Sequence, residues 1–288
     1  MSTRPQFLLS RMARCAMASG LLLAAASGAQ ASSLLGLYTF EGANGNFANV
    51  VDASGNGKNP LTVASTVSVT TGGQGYQGEA AKFSPTSGNM PNFGFTVGID
   101  IAPSTTGLTI GGWLKRNAVP SPLNRATFFS HDNGGWDRGI FYQTGGGDGW
   151  SIQGNSPQQT GVTMSADAWH LVTVTFGGAN GTEAKLYLDG VYQATRTSVD
   201  GGSAENFLRF GAYDADSGTE PWAGLMDNLF VFSGALSASE VSTINAQGLA
   251  GITRVAGLSA PAAVPEPGSL ALVALAAAGL ALARRRSV

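Results

Sequence analysis

Cysteine, histidine and charged residues are all scarce in this sequence of 288 residues. Cys15 is its single cysteine, which excludes a disulfide within the chain and a metal site built from several cysteines. Charged side chains make up 12% of the chain, against a usual ~25%, and the formal net charge is −2. Because that balance offers no basic surface, we expect no nucleic-acid partner.

Motifs of the common hydrolases and nucleotide-binding enzymes are missing as well. The sequence has no Gly-x-Ser-x-Gly turn, no His-Glu-x-x-His pair and no phosphate-binding loop. With two histidines and one cysteine, few residue combinations can form a nucleophile and its base. We therefore predict that the protein is not an enzyme.

The N-terminal residues have the order of a secretory signal peptide. Three arginines precede an apolar run over residues 16–26, and the small-residue sequence Ala29-Gln30-Ala31 follows it. This order predicts a signal peptide over residues 1–31 that is cleaved after Ala31. The alternative is a membrane anchor, for which the run is short of the ~20 residues that a span needs.

The C-terminal residues 264–288 have three parts. Pro265-Glu266-Pro267 is followed by an apolar stretch over residues 270–283 and then by Arg284, Arg285 and Arg286. The order resembles the PEP-CTERM sorting signal of Gram-negative bacteria. The resemblance implies a transient transmembrane helix, processing by an exosortase-type enzyme, and export to the cell surface or extracellular matrix. An ordinary C-terminal membrane anchor is the alternative.

Between these ends, short β-type runs alternate with glycine-rich turns. Glycine accounts for 41 residues, about twice its usual share of ~7%. Residues 171–176 alternate apolar and polar side chains, and Asp189-Gly190 joins two runs as a tight hairpin turn would. Many short strands with little helical periodicity indicate one all-β sandwich over residues 32–247.

One short helix is expected after the last strand. Ser237 can cap its N-terminus while Glu240 bonds back to the cap, which predicts a helix over residues 236–244. Residues 248–263 are small and contain proline, so we predict a stalk there between the domain and the sorting tail.

Five segments stand out, in order along the chain: LYTFEG at 37–42, DASGNG at 52–57, WHLVTV at 169–174, LYLDG at 186–190 and GLMDNLFV at 224–231. Together they resemble the laminin-G-like, concanavalin A-like jelly roll of bacterial surface proteins. The resemblance covers residues 34–244 and implies a concanavalin A-like (laminin-G-like) jelly-roll β-sandwich.

The same resemblance implies one structural Ca²⁺ at the rim of the sandwich. The family places ligands where this chain has Glu41, after the first strand, and Asp227, in the last. Asn44 or backbone carbonyls near Gln77 and Gly78 would complete the six to eight oxygens that Ca²⁺ takes. The alternative is that both carboxylates bind backbone amides.

Two loops within residues 131–150 carry the residue types that bind sugars. A sugar ring presents an apolar face edged with hydroxyls, so its sites pair aromatic with polar side chains. We predict carbohydrate contacts from Asp132, Asn133, Trp136, Arg138, Tyr142 and, as a second aromatic surface, Trp222. The alternative is that Trp136, Trp150 and Trp222 anchor loops as buried aromatics.

Three other polar residues are expected to be structural. Asp52 is predicted to bond backbone amides two residues ahead, and Asp189 to form a turn. His170 lies in a strand-like motif among core residues, so we predict a packed, hydrogen-bonded role for it.

These features together predict an exported, non-catalytic surface or matrix protein that binds carbohydrate and Ca²⁺. Glucanases on a related jelly roll carry Glu-x-Asp-x-x-Glu on one strand, a spacing that this sequence does not have. The alternatives are a purely structural or protein-adhesion spacer of the extracellular matrix, and a polysaccharide lyase or hydrolase with an unrecognised site.

Overall fold

The computed structural model describes residues 32–86, 93–101, 107–118, 125–131, 138–144, 147–154, 156–178, 181–199, 207–213 and 220–258. The predicted residues of both end segments lie outside these ranges: Ala29 and Ala31 of the signal peptide, and Pro265, Glu266, Pro267, Arg284, Arg285 and Arg286 of the sorting tail. In the part of the chain that is described, no helix is long and apolar enough to cross a membrane.

The described residues form fifteen strands. The first seven are β1 (Leu34–Tyr38), β2 (Pro60–Val63), β3 (Val67–Val69), β4 (Ala81–Phe83), β5 (Phe95–Val97), β6 (Leu108–Arg116) and β7 (Arg125–Ser130). The others are β8 (Gly139–Gln143), β9 (Gly149–Ile152), β10 (Gln158–Gln159), β11 (His170–Gly177), β12 (Glu183–Leu188), β13 (Val191–Arg196), β14 (Leu208–Phe210) and β15 (Gly224–Phe232).

The strands form two antiparallel sheets that pack as a sandwich. Within the described ranges, the large sheet has eight strands in the order β13-β12-β11-β6-β15-β4-β3, with β1 pairing to β15. The small sheet has seven, in the order β10-β9-β8-β7-β14-β5-β2. The predicted all-β sandwich is confirmed.

The alternation of β11 follows from the difference between its two faces. Val172, Val174 and Phe176 are buried in the main core between the sheets. Leu171 points the other way, into a second apolar cluster outside the large sheet. Because full burial of such a side chain stabilises a fold by ~1.5–3 kcal/mol, β11 is held from both sides.

The helix α1 (Ala238–Gln247) covers part of that second cluster. It is capped by Ser237 as predicted, but it begins at residue 238 and ends at 247, where the sequence predicted 236–244. The Glu240 N–H donates to Ser237 Oγ at 3.3 Å, and the Ser237 N–H donates to Glu240 Oε2 at 2.7 Å. Val241 and Ile244 are buried in the second cluster, against the large sheet. The predicted capping box is confirmed.

A second helix, α2 (Leu249–Val255), occupies the first part of the predicted stalk. The prediction that a stalk begins at residue 248 therefore differs from the structure. Ile252 is buried with Ile244 in the second cluster. A Cβ on Gly251 would come within 2.7 Å of Ile244 Cα, so glycine allows α2 to approach α1 closely. The small residues here serve helix packing.

Two turns take the conformations that the sequence predicts. Asp189 and Gly190 have φ values of 51° and 79°, as both central residues of a type I′ turn require. Asp52 Oδ1 accepts a hydrogen bond from the Ser54 N–H, two residues ahead, at 2.9 Å. Both turn predictions are confirmed.

Candidate functional site

Glu41 and Asp227 meet at one loop, as predicted from the strands that carry them. Asp227 lies in β15, is fully buried, and accepts at Oδ2 a hydrogen bond from the Gln77 N–H at 2.9 Å. Glu41 follows β1 and accepts at Oε1 a hydrogen bond from the Glu79 N–H at 3.0 Å. Since β1 pairs with β15, the loop at residues 77–79 joins the two carboxylates.

The Asp227 carboxyl has a pKa well above the usual value for an aspartate. Burial raises its pKa to about 7, hydrogen bonds from the backbone N–H groups of Gln77 and Asn228 oppose the shift, and the charge of Glu41 adds to it. A positive ion beside such a carboxyl favours its charged form. The raised pKa therefore reflects burial first and the neighbouring Glu41 carboxylate second.

Asn44 lies beside this loop, and its hydrogen bonds use its two nitrogen atoms. Its backbone N–H donates to Glu79 Oε2 at 3.3 Å, and its Nδ2 donates to the Gly42 carbonyl at 3.0 Å. In the described ranges, no group of three or more His, Cys, Asp and Glu side chains is placed to hold a metal. A cation would depend on Glu41, Asp227 and backbone carbonyls.

The side chain of Gln77 has a role that sequence reasoning missed. Its Oε1 accepts hydrogen bonds from Asn228 Nδ2 at 3.0 Å and from the Leu249 N–H at 3.1 Å. Gln77 thus ties the start of α2 to β15, beside Asp227. Only the backbone of this loop entered the prediction.

A second candidate site lies on the face of the small sheet that points away from the main core. The neighbours of Phe141 in β8 point into that core, so Phe141 points outward. It pairs with Thr127 of β7 and with Ser151 of β9. We call these three residues, together with Gln153 two positions after Ser151, the outer cluster.

The polar atoms of the outer cluster are buried without partners. All four side chains are fully buried, and Thr127 Oγ1, Ser151 Oγ and both amide atoms of Gln153 have no hydrogen bond among the described residues. Leaving a buried donor or acceptor unpaired costs ~1–3 kcal/mol, so native proteins pair most such atoms with protein, water or ligand. A water or a ligand that reached these atoms would supply the missing hydrogen bonds.

An ion pair lies at the edge of the outer cluster. The Arg125 guanidinium is 4.8 Å from the centre of the Phe141 ring, and its Nη1 is 2.7 Å from Glu220 Oε1. The two side chains retain 31% and 13% exposure. They place charged donors and acceptors beside the aromatic ring.

Of the predicted sugar-binding residues, Asp132, Asn133 and Trp136 lie outside the described residues. Arg138 is buried, and its Nη1 and Nη2 donate to the carbonyls of Ile101 and Gly181, each at 2.8 Å. Its guanidinium therefore links loops within the sandwich, where the sequence predicted a sugar contact.

Tyr142 and Trp222 also point inward, which differs from their predicted role. The Tyr142 hydroxyl lies 3.4 Å from both the N and the O of Met164. Trp222 is fully buried and stacks on Trp150, with ring centres 6.2 Å apart and planes 12° apart. In β8 the outward aromatic is Phe141, one position before the predicted Tyr142.

Comparison with known families agrees with this architecture. Residues 94–242 match the concanavalin A-like lectin/glucanases superfamily. The chain belongs to this superfamily. Separately, residues 263–286 of this superfamily member match a PEP-CTERM protein-sorting motif, which indicates export to the cell surface through the membrane. None of the curated proteins compared with the chain matches it.

Solved structures similar to this superfamily member include domain 4 of AbnA, a GH43 extracellular arabinanase from Geobacillus stearothermophilus, in complex with arabinotriose. That similarity has 19% identity, a TM-score of 0.51, and coverage of 74% of this chain and 98% of that one. The binding domain of Paraclostridial Mosquitocidal Protein 1 is similar at 15% identity and a TM-score of 0.53, over 74% and 52% of the two chains. The receptor binding domain of botulinum neurotoxin type G is similar at 16% identity and a TM-score of 0.51, over 75% and 51%. The chain spans about half the length of the two toxin domains, and these likenesses show the fold.

Proposed function

We propose that this protein is an exosortase-sorted surface or matrix protein of a Gram-negative bacterium whose sandwich binds carbohydrate at the outer cluster. The observation that carries the binding proposal is the set of buried, unpartnered polar atoms around Phe141. The sorting motif supports export, and a similar fold, AbnA domain 4, is in complex with arabinotriose. The proposal assigns binding, without cleavage of glycosidic bonds.

The chemistry of the outer cluster matches that of a sugar. A pyranose or furanose ring has an apolar face that packs on aromatic rings such as Phe141, and hydroxyls that bond to polar groups such as those around it. Because the four side chains are fully buried in the free protein, binding requires the cover over them to open. Thr127 and Ser151 each offer a hydroxyl that can donate or accept, and Gln153 offers an amide with both capacities. Arg125 and Glu220 add charged groups at the edge.

Replacing Gln153 by Met tests this proposal because it separates binding from stability. The substitution removes amide atoms that the free protein leaves unpaired, so the free energy of unfolding should stay the same or rise. Binding to a polysaccharide array should weaken by roughly 2- to 13-fold, corresponding to ~0.5–1.5 kcal/mol for a lost hydrogen bond. Both quantities can be measured by chemical denaturation and by titration calorimetry with a binding glycan.

Gln193→Met is the matched control, since Gln193 is exposed on β13 of the other sheet and should leave affinity unchanged. Glycan affinity that is equal in Gln153→Met and wild type would place binding elsewhere. A complete lack of binding to matrix polysaccharides with Ca²⁺ present, accompanied by self-association, would favour the structural spacer.

The proposal includes one structural Ca²⁺ held by Glu41, Asp227 and backbone carbonyl oxygens of their loops. Carboxylate and carbonyl oxygens are the ligands that Ca²⁺ takes. The raised pKa of Asp227 supports a cation at this place, because two carboxylates approach one loop and no positive side chain of the described residues bonds to either. Bound there, the ion would supply charge neutralisation and hold β1 and β15 to residues 77–79.

Thermal unfolding with Ca²⁺ and with a chelator tests the ion. A ligand that binds only the folded state at 100 times its Kd adds ~2.7 kcal/mol, so the wild-type melting temperature should rise with Ca²⁺. Asp227→Asn should lose that rise, whereas Glu183→Gln, at a half-buried carboxylate paired with Lys185 far from this loop in sequence, should keep it. A wild-type melting temperature that neither Ca²⁺ nor chelator moves would exclude the site.

A further inference from the structure

Ser165, His170 and Asp189 form a continuous chain of hydrogen bonds at the surface. Ser165 Oγ is 2.7 Å from His170 Nε2, and His170 Nδ1 is 2.7 Å from Asp189 Oδ2. An ionised carboxylate can only accept, so His170 Nδ1–H donates to Asp189. In the neutral ring Nε2 then carries a lone pair and accepts the Ser165 hydroxyl hydrogen. This is the arrangement that activates a serine nucleophile.

The backbone holds the acid and the histidine of this chain in place. Asp189 sits in the β12–β13 turn, where its N–H donates to the Leu171 carbonyl at 2.8 Å and its Oδ1 accepts from the Leu171 N–H at 3.0 Å. His170 is the first residue of β11 and pairs with Leu114 of β6. The carboxylate is therefore fixed beside the strand that carries the imidazole.

The serine is also anchored, through the residue before it. The Met164 carbonyl accepts a hydrogen bond from Arg116 Nε at 3.0 Å, and the Met164 N–H donates to the Tyr142 hydroxyl at 3.4 Å. Beyond the serine, the Asp167 N–H donates to the Arg116 carbonyl at 2.8 Å. These contacts hold the loop of Ser165 against β6 and β8, so the hydroxyl meets the imidazole without reorganisation.

Exposure makes this group different from a buried structural network. The side chains of His170 and Asp189 are 18% and 46% exposed, and Ser165 is exposed. The other histidine, His131, is fully buried. A substrate carried on a polymer can therefore reach Ser165.

We propose that Ser165 is a nucleophile toward carboxylic esters, with His170 as its general base and Asp189 as a positioning residue. Ser165 Oγ attacks the ester carbonyl carbon while His170 Nε2 takes the hydroxyl proton. The bond to the leaving alcohol breaks, the alcohol takes that proton, and Ser165 is left acylated. Water, deprotonated by His170, then releases the carboxylic acid and restores the serine.

This activity goes beyond the proposed carbohydrate binding, and it breaks no glycosidic bond. Sequence reasoning did not find it, because the serine lies in no nucleophile motif and the aspartate was explained by its turn. The three side chains come together only through the pairing of β11 with β12 and the anchoring of residues 164–167.

Acetylation by p-nitrophenyl acetate tests the proposal on the full chain. Mass spectrometry of wild-type protein should find acetyl at Ser165, with a rate that rises as the imidazole loses its proton. Ser165→Ala should abolish that label and the associated p-nitrophenolate release. Ser84→Ala is the control, since Ser84 is exposed and should make no difference.

Two further variants separate nucleophile activation from structure. Asp189→Asn can keep the turn and accept from Leu171, but it cannot accept from His170 Nδ1, so the rate should fall by ~10²- to 10⁴-fold. His170→Gln should fall to the same level and lose the pH dependence. Circular dichroism confirms folding of each variant. Acetylation of Ser165 in wild type no faster than that of Ser84, or equal in the folded Asp189→Asn protein, would overturn the proposal.

Discussion

Asp52 and Asp227 both accept backbone hydrogen bonds, yet their surroundings shift their pKa values in opposite directions. Burial works to raise the pKa of Asp52, but hydrogen bonds from Ser54, Leu37 and Lys58 outweigh it and hold the pKa below its usual value. Asp227 is more deeply buried, and the same kind of bond does not compensate. Asp52 is therefore a structural anion, whereas Asp227 is a carboxyl that needs a proton or a cation.

In the presence of a chelator, the stability of the wild-type protein should fall as pH rises through 7, relative to Asp227→Asn. The folded pKa of about 7 lies above the unfolded value of ~3.9, so the folded state binds the extra proton. The contribution is fully present below about pH 4 and lost above the folded pKa, on the order of 4 kcal/mol in all. Urea unfolding at several pH values measures it. Parallel pH curves for the two proteins would contradict the assignment.

Among the elements, those with local signals could be predicted from sequence. Strand β11 alternates because Val172, Val174 and Phe176 all face the main core, and α1 begins at a capping box that needs only residues 237–240. Helix α2 could not be predicted because its seven residues are mostly small and its burial depends on a partner surface. The outer cluster was missed for a related reason, since Ser151 and Gln153 resemble ordinary strand residues until their missing partners are seen.

Replacing Ile252 by Ala tests whether α2 is part of the domain. Ile252 is fully buried between the helices and the large sheet, so the substitution should lower the free energy of unfolding by ~2–5 kcal/mol. The exposed Arg254 in the last turn is the control, where Ala should cost no more than ~1 kcal/mol. Equal unfolding midpoints for both variants and wild type would mean that residues 249–255 behave as a stalk.

The whole molecule joins an acidic sandwich to two basic end segments. Residues 32–263 contain 10 basic and 17 acidic side chains, a net charge of −7, although the full chain carries −2. Six arginines at the ends account for this difference, offset by Glu266. Positive charges beside an apolar stretch are typical of segments that insert into a membrane, whereas the sandwich carries a net negative charge. Processing would therefore change the charge of the protein as well as its length.

Protein isolated from the cell surface should lack residues 1–31 and the tail after the PEP motif. Its intact mass should show both losses, and its isoelectric point should be below that of the full chain because six arginines have gone. Replacing Pro265, Glu266 and Pro267 together by Ala should leave the tail attached and the protein in the membrane fraction. Since the outer cluster lies on the small sheet, in strands β7, β8 and β9 and at the residue after β9, this variant should keep its glycan affinity. A surface form that retains residues 264–288 would show that the motif is not a processing site.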